Sequence, residues 1–242
     1  MDAARIAALL EPYIDPPLPA SALEQISIYI DLLLRWNQRI NLTAIRDPEE
    51  MVTRHFGESF LLARHLFPGR VARTLLSAQA SSPSPNAGAP LLAQVAMSGV
   101  LPRPQVLDMG SGAGFPGLPT KIWSPEIRLT LIESNHKKAA FLREAARRLT
   151  LTDVNVLAER AETLVSQGPP QANVVTLRAV ERFDTVLPLA VRFLAPDARI
   201  ALLIGTSQLP ALPELAPTIA WSQPIDIPKS HSAVLAIGVR TR

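Results

Sequence analysis

Residues 106–117 read VLDMGSGAGFPG, and this stretch decides the fold. It opens on a short apolar run with strand character. It closes on a cluster of glycines that leads into a helix-compatible segment. A strand running into a glycine turn and then a helix is the opening unit of a doubly wound nucleotide-type fold. Glycine permits the tight turn and lets a ligand approach the backbone. Gly110, Gly112, Gly114 and Gly117 stand just past the strand.

Downstream, strand and helix patterns alternate. The segments 128–134, 154–158, 172–180 and 198–205 read as strands, and about 117–123, 136–149 and 181–194 as helices. Such alternation predicts an α/β chain with a mostly parallel, Rossmann-like sheet of seven strands. The last strand, HSAVLAIGV at 231–239, follows a Pro-rich stretch without an obvious preceding helix. It is expected as an antiparallel edge partner of a strand near 218–226.

Upstream, residues 2–12 and 20–41 read as helices, the second with Leu23, Ile26, Ile30, Leu33 and Leu34 at helical spacing. A third helix is expected over 48–66, with Asp47 as N-cap and Pro48 at its first position. Between lies SAQASSPSPNAGAP, rich in Ser, Pro and Ala and without periodicity. The expected organisation is a helical extension (1–70), an insertion (71–103) and a ligand-binding domain (104–242).

The chain has 242 residues, 48% hydrophobic, a net charge of +3 and no cysteine. The missing cysteines exclude disulfides, thiolate metal sites and cysteine nucleophiles. The first residues lack a signal-peptide pattern, and no apolar run approaches the ~20 residues that span a bilayer. The expectation is a cytoplasmic protein without membrane or metal partners. Of the 24 basic residues, only Lys121, Lys137, Lys138 and Lys229 are lysines. Arginine suits phosphate and RNA, and also follows from a GC-rich genome.

Three readings of the glycine loop stand side by side. Gly112-x-Gly114-x-x-Gly117 matches the dinucleotide fingerprint, but Asp108 is expected at the loop's mouth, where it would repel a pyrophosphate. An acid there suits a cofactor with positive groups and no phosphate, and S-adenosylmethionine is such a molecule. Glu133, ending the second strand, can accept ribose hydroxyls in either cofactor. Ala161 and Glu162, in ERAE after the third strand, can meet an adenine edge. A methyltransferase of this fold acting on a small molecule or another RNA is the alternative substrate reading. An NAD enzyme or a non-catalytic nucleotide-binding module is the third.

Absences narrow the target further. Pyrimidine C5 methylation in RNA needs a cysteine nucleophile. Exocyclic-amine methylation uses an Asn/Asp-Pro-Pro-aromatic loop after the fourth strand, where this chain has RAVERF. Hydroxyl methylation needs a base, and no clear Lys/Asp arrangement is visible. Guanine N7 offers a lone pair and releases no proton, so positioning alone can carry that reaction.

With these residues in view, the chain resembles the ribosomal small-subunit RNA methyltransferase G family, also called glucose-inhibited division protein B. LLLRWNQRINLTAIRDPEEMVTRHFGESF (32–60) is similar to the family's N-terminal signature. LDMGSGAGFPGLP (107–119) is similar to its cofactor loop, and LIESNHKKAAFLRE (131–144), ERAE (159–162) and LRAV (177–180) to its later motifs. Departures are Val180, Ile204, Asn135 and His136. The resemblance implies S-adenosylmethionine-dependent N7 methylation of one guanosine in 16S rRNA, naked or in a small-subunit precursor. It implies cofactor contacts at Gly110, Phe115, Ala161 and Glu162, with Arg178 at the cofactor–substrate boundary. Asp108, Gly112, Gly114 and Glu133 complete the expected cofactor set. Arg178 is the residue expected to position the target, unless a salt bridge to Asp108 or Glu181 holds it in a structural role. Arg46, Arg54, His55, Lys137, Lys138 and Arg143 are the expected RNA contacts, with a merely solvated role as the alternative for each.

Overall fold

The computed structural model describes residues 1–68, 103–179 and 182–241. The expected insertion, apart from Arg103, and the pair Val180–Glu181 lie outside the described residues.

Helix α1 (Ala3–Leu10) packs on α2 (Ala20–Asn37) through Ile6, Leu10, Ile26 and Ile30, all buried. α2 ends short of the expected residue 41 because Asn37 turns the chain. Its Oδ1 accepts the amides of Leu42 (2.9 Å) and Thr43 (3.2 Å), and its Nδ2 donates to the Thr43 carbonyl. Asp47 caps α3 (Pro48–Glu50) as expected, its side chain accepting the Glu50 amide at 2.8 Å. The rod continues through a π-helical stretch (Met51–Gly57) into α4 (Glu58–Leu66). Tyr13 seats this stretch so closely that a Cβ on Gly57 would lie 2.8 Å from its ring.

The sheet follows. β1 (Gln105–Met109), α5 (Gly117–Trp123), β2 (Arg128–Ile132), α6 (His136–Arg148), β3 (Val154–Leu157), α7 (Ala161–Ser166), β4 (Ala172–Arg178), α8 (Phe183–Val191) and β5 (Leu194–Gly205) alternate in order. Beyond come a 3-10 turn (Thr206–Ala211), α9 (Leu212–Leu215), β6 (Ile219–Trp221), β7 (Ile225–Asp226) and β8 (Ala233–Arg240). The strand order is β3-β2-β1-β4-β5-β8-β6, with β7 also on β8, which makes eight strands instead of seven. β6 and β7 pair with opposite ends of β8, at Gly238–Arg240 and at Val234–Leu235. They are one edge ribbon broken at residues 222–224. β8 runs antiparallel to β5 and is internal, so the edge belongs to its partner.

Strand alternation sorts side chains onto two faces. Val106, Leu129, Leu131, Val174, Ala201 and Leu203 join one core with the N-terminal helices, α5 and α6. Leu107, Met109, Ile132, Val175, Leu177, Ile200 and Leu202 join another beneath α7, α8 and α9. The same parity sends Asp108, Thr176 and Arg178 toward the N-terminal helices.

Candidate functional site

At the carboxyl ends of β1, β2 and β3 lies a cavity of about 300 Å³. Gly110, Ser134, Glu159, Arg160, Ala161 and Glu162 line it, and Arg182, Val186 and Leu189 of the α8 region close it. This is where an open α/β sheet takes its ligand. The structure thus brings together Gly110, Ala161 and Glu162 of the expected set. Ser134, Glu159, Arg160 and Arg182 were not foreseen, although ERAE and RAVERF contain three of them.

Gly110 and Gly112 adopt positive φ, +69° and +54°, which glycine tolerates without strain. Four of the loop's amides, those of Gly110, Ser111, Gly112 and Gly114, are committed within the protein. Gly110 and Ser111 donate to the Ile132 carbonyl, at 2.9 and 3.1 Å, and Gly114 donates to the Ser111 carbonyl at 2.6 Å. The Gly112 amide donates to Glu133 Oε2 at 2.8 Å, while Glu133 Oε1 accepts the Asn135 amide at 2.8 Å. A pyrophosphate loop needs free amides facing an anion. Here the Glu133 carboxylate takes the Gly112 amide, which counts against the dinucleotide reading.

Asp108 does not stand at the loop's mouth. It is 1% exposed, and its Oδ1 accepts the hydroxyl of its register partner Thr176 at 2.7 Å. Oδ2 is buried without a hydrogen bond of standard geometry, the Gly117 amide offering only a weak one. Burial pushes the carboxyl up to about 6, against the opposing pull of Thr176, Ser111, Gly117 and the Arg178 charge. The acid that fronts the loop is Glu133.

Gly114 and Phe115 also lie away from the cavity. A Cβ on Gly114 would strike the Tyr29 hydroxyl and come within 2.7 Å of Leu118. Phe115, buried, stacks between Tyr29 (centroids 5.3 Å apart) and His55 (4.7 Å). Tyr29 donates its hydroxyl proton to the Ala113 carbonyl at 2.6 Å, tying α2 to the glycine loop.

Arg178 ends β4 with its side chain 12% exposed. Its Nη2 donates to Glu58 Oε2 at 3.0 Å and to the Arg54 carbonyl at 2.8 Å, and its Nη1 lies 2.9 Å from His55 Nδ1. The guanidinium sits 5.9 Å over the Phe115 ring. Its carboxylate partner is Glu58 and not Asp108, while Glu181 lies outside the described residues. Arg178 does not line the cavity. The next residue, Ala179, sits at φ +50°, in the left-handed region that favours glycine.

Among the expected RNA contacts, His55 is 8% exposed and locked between Arg178 and Phe115, so it does not present itself at the surface. Burial first, then the charges of Arg178 and Arg54, hold its pKa down to about 3. Arg54 is half exposed and bonds Glu58 at 3.1 Å. Arg46 and Lys137 are exposed, and Lys138 is half-buried. Arg143 reaches back to the Val156 carbonyl at 3.1 Å. Lys137 and Lys138 open α6, where Asn135 accepts both their amides. Trp36 docks α2 on this helix by donating to Glu144 at 3.0 Å. No helix among the described residues is long and apolar enough to cross a membrane.

A family model described as rRNA small subunit methyltransferase G matches residues 22–74 and 91–231. The Xanthomonas axonopodis pv. citri protein named ribosomal RNA small subunit methyltransferase G is 32% identical over 203 residues. The match covers 83% of this chain and 78% of the relative. The Xylella fastidiosa protein of the same name is 32% identical over 216 residues, covering 88% and 84%. The ribosomal protein L11 methylase structure from Lactobacillus delbrueckii subsp. bulgaricus superposes with a TM-score of 0.49 at 15% identity. It covers 62% of this chain and 74% of that one.

Proposed function

The chain belongs to the rRNA small subunit methyltransferase G family, and we propose that it methylates N7 of one guanosine in 16S rRNA. S-adenosylmethionine is the methyl donor and supplies an electrophilic methyl group on a sulfonium. The observation that carries the cofactor reading is the glycine loop, four of whose amides are internally bonded and whose front is the Glu133 carboxylate. Such a loop fits a cationic, phosphate-free ligand. The adjoining cavity offers bare backbone at Gly110 and the acids Glu159 and Glu162, beside the cations Arg160 and Arg182.

In this reading Gly110, Ala161 and Glu162 hold the cofactor, Glu133 sets the loop, and Asp108 braces it from below through Thr176. Residues 1–70 act as a helical extension serving the domain over 104–242. Arg178 positions the target at the end of β4. It cannot remove a proton, because arginine stays protonated. His55 has its Nδ1 lone pair committed to Arg178. A target that releases no proton suits such a site. Arg46, Arg54, Lys137, Lys138 and Arg143 supply cations for the RNA backbone.

The test is methyl transfer from labelled S-adenosylmethionine to small-subunit particles and to naked 16S rRNA. The product is mapped by chain cleavage at 7-methylguanosine. A single cleavage site is expected. Labelled RNA that resists this cleavage would overturn the N7 assignment, and absence of label in both substrates would overturn the RNA reading.

A further inference from the structure

We propose that His55 is a positioning residue for methyl transfer, one that holds the Arg178 guanidinium in a single orientation by accepting its Nη1 proton at Nδ1. The proposal rests on the reading that Arg178 faces the target.

The direction of this hydrogen bond follows from chemistry. A guanidinium has five N–H donors and no acceptor. The 2.9 Å contact between Arg178 Nη1 and His55 Nδ1 can therefore run only from arginine to histidine. Nδ1 carries no proton, and the ring's proton sits on Nε2. Nε2 lies 2.8 Å from Thr43 Oγ1, so its N–H donates to Thr43, which also accepts the Ile45 amide at 3.1 Å. Both ends of the imidazole are thereby assigned. A protonated ring would set N–H against N–H at Arg178. The depressed basicity of His55 keeps that state unpopulated at neutral pH.

The ring is fixed in a second dimension by stacking. Its plane lies 23° from that of Phe115 at 4.7 Å between centroids. On the other side of the guanidinium, Glu58 and the Arg54 carbonyl take both Nη2 protons. Glu58 is itself 4% exposed. The Nε proton and one Nη1 proton have no partner among the described residues. Those two are what Arg178 can offer a substrate, and their direction depends on the other three. His55, Glu58 and the Arg54 carbonyl come from one rod, whose π-helical stretch carries Arg54 and His55. Such stretches recur at functional sites.

The competing account is packing alone, in which His55 only fills the face of Phe115. Side-chain replacements separate the two. His55→Phe keeps the ring and the stack but loses both hydrogen bonds. His55→Asn loses the ring but places an acceptor where Nδ1 stands. His55→Gln reaches Thr43 and leaves Arg178 Nη1 unpaired. Positioning predicts that the Asn variant stays within a few-fold of wild type. It predicts that the Phe and Gln variants fall in kcat by about 10²-fold, the scale on which a misplaced group costs rate. KM for RNA and calorimetric affinity for S-adenosylhomocysteine should be unchanged in all three. Packing predicts the reverse order, with Phe active and Asn impaired, and that order would overturn the proposal. Equal loss, or no loss, in Asn and Gln variants would overturn it as well. If the Phe variant does not fold, the Asn and Gln pair alone decides. A wild-type protein that leaves small-subunit RNA unmethylated defeats the functional reading and not the geometry. The geometry is checked independently by nitrogen–proton NMR of the imidazole. The proton should reside on Nε2 throughout pH 5 to 8, and a proton on Nδ1 would overturn the assignment whatever the substrate.

Discussion

Gly114 and Gly112 sit two residues apart in one loop, both at positive φ, and the structure assigns them different work. A Cβ at Gly112 would meet only the Gly110 carbonyl, at 3.8 Å. Gly112→Ala should therefore cost little beyond the left-handed backbone, about 1–2 kcal/mol. At Gly114 the same backbone penalty applies, at φ +87°. There the new methyl also strikes the Tyr29 hydroxyl and crowds Leu118 (2.7 Å) and Leu142 (3.1 Å), all in a closed core. Overfilling such a core adds about 1–3 kcal/mol. The sum is about 3 kcal/mol, which lowers Tm by roughly 6–12 °C for a chain of this size. Calorimetric melting of both variants should show the gap. Tyr29→Phe supplies the control, because removing the hydroxyl removes the worst contact. In a double-mutant cycle, Gly114→Ala should cost about 1 kcal/mol less when combined with Tyr29→Phe. A Gly114→Ala variant that melts with Gly112→Ala, or a cycle that sums to zero, would refute the packing assignment.

Gly110→Val should abolish cofactor binding in calorimetry while the protein still melts cooperatively, because Gly110 lines the cavity and Gly114 does not; retained affinity would move the pocket. Stability against pH should tilt in opposite directions in two variants. His55, held at about 3 against an ordinary 6.5, lets the unfolded chain bind more protons, so its contribution is lost as pH falls below 6.5. Asp108, raised to about 6 from 3.8, contributes stability below 3.8 that is lost as pH rises through 6. Between pH 4.5 and 5.5 each moves stability by about 1.4 kcal/mol, with opposite sign. Urea midpoints should fall with rising pH in His55→Phe and rise in Asp108→Asn, and parallel curves would contradict both shifts. Arg178→Ala should reduce turnover by about 10²-fold, or about 2.7 kcal/mol of transition-state stabilisation. Arg178→Lys should recover little of it, since an ammonium has only three N–H donors, which Glu58, the Arg54 carbonyl and His55 would use up, leaving none for the target; a lysine variant of near-normal rate would remove the argument from the fork. Replacing Lys137, Lys138 and Arg143 by Ala should weaken RNA binding and flatten its salt dependence by about 0.7 per lost phosphate contact. An unchanged slope would leave these residues as a solvated face.

The parallel sheet was legible because each of its strands carries its own signal, an apolar run bounded by turn residues, as in QVLDMG or ARIALLIG. Partners set by distant chain were not. Asp108 looks like a mouth residue from its place before Gly110, yet its period-two relation to Val106 puts it on the face packed by the N-terminal helices. Register then sets it against Thr176, 68 residues away. Gly112 and Gly114 are indistinguishable in the string. Tyr29, on a helix more than 80 residues earlier, separates them. Glu58 carries no local mark as the partner of Arg178, since the pair is 120 residues apart. It forms because Arg178 shares strand parity with Val174 and so faces the rod. The Tyr29 and Glu58 contacts have one cause. The N-terminal helices look like an appendage in the sequence, but their apolar faces close the same core as β1, β2, β4 and β5. The side chains that this packing brings along are those that brace the site: Tyr29 beneath the loop, His55 and Glu58 on Arg178, and Trp36 on α6. Burying the extension's apolar face and aligning the guanidinium are thus one event. A substitution that loosens the α1–α2–rod packing, such as Ile26→Ala at 0% exposure, should therefore cost turnover as well as stability, although it touches neither cavity nor substrate.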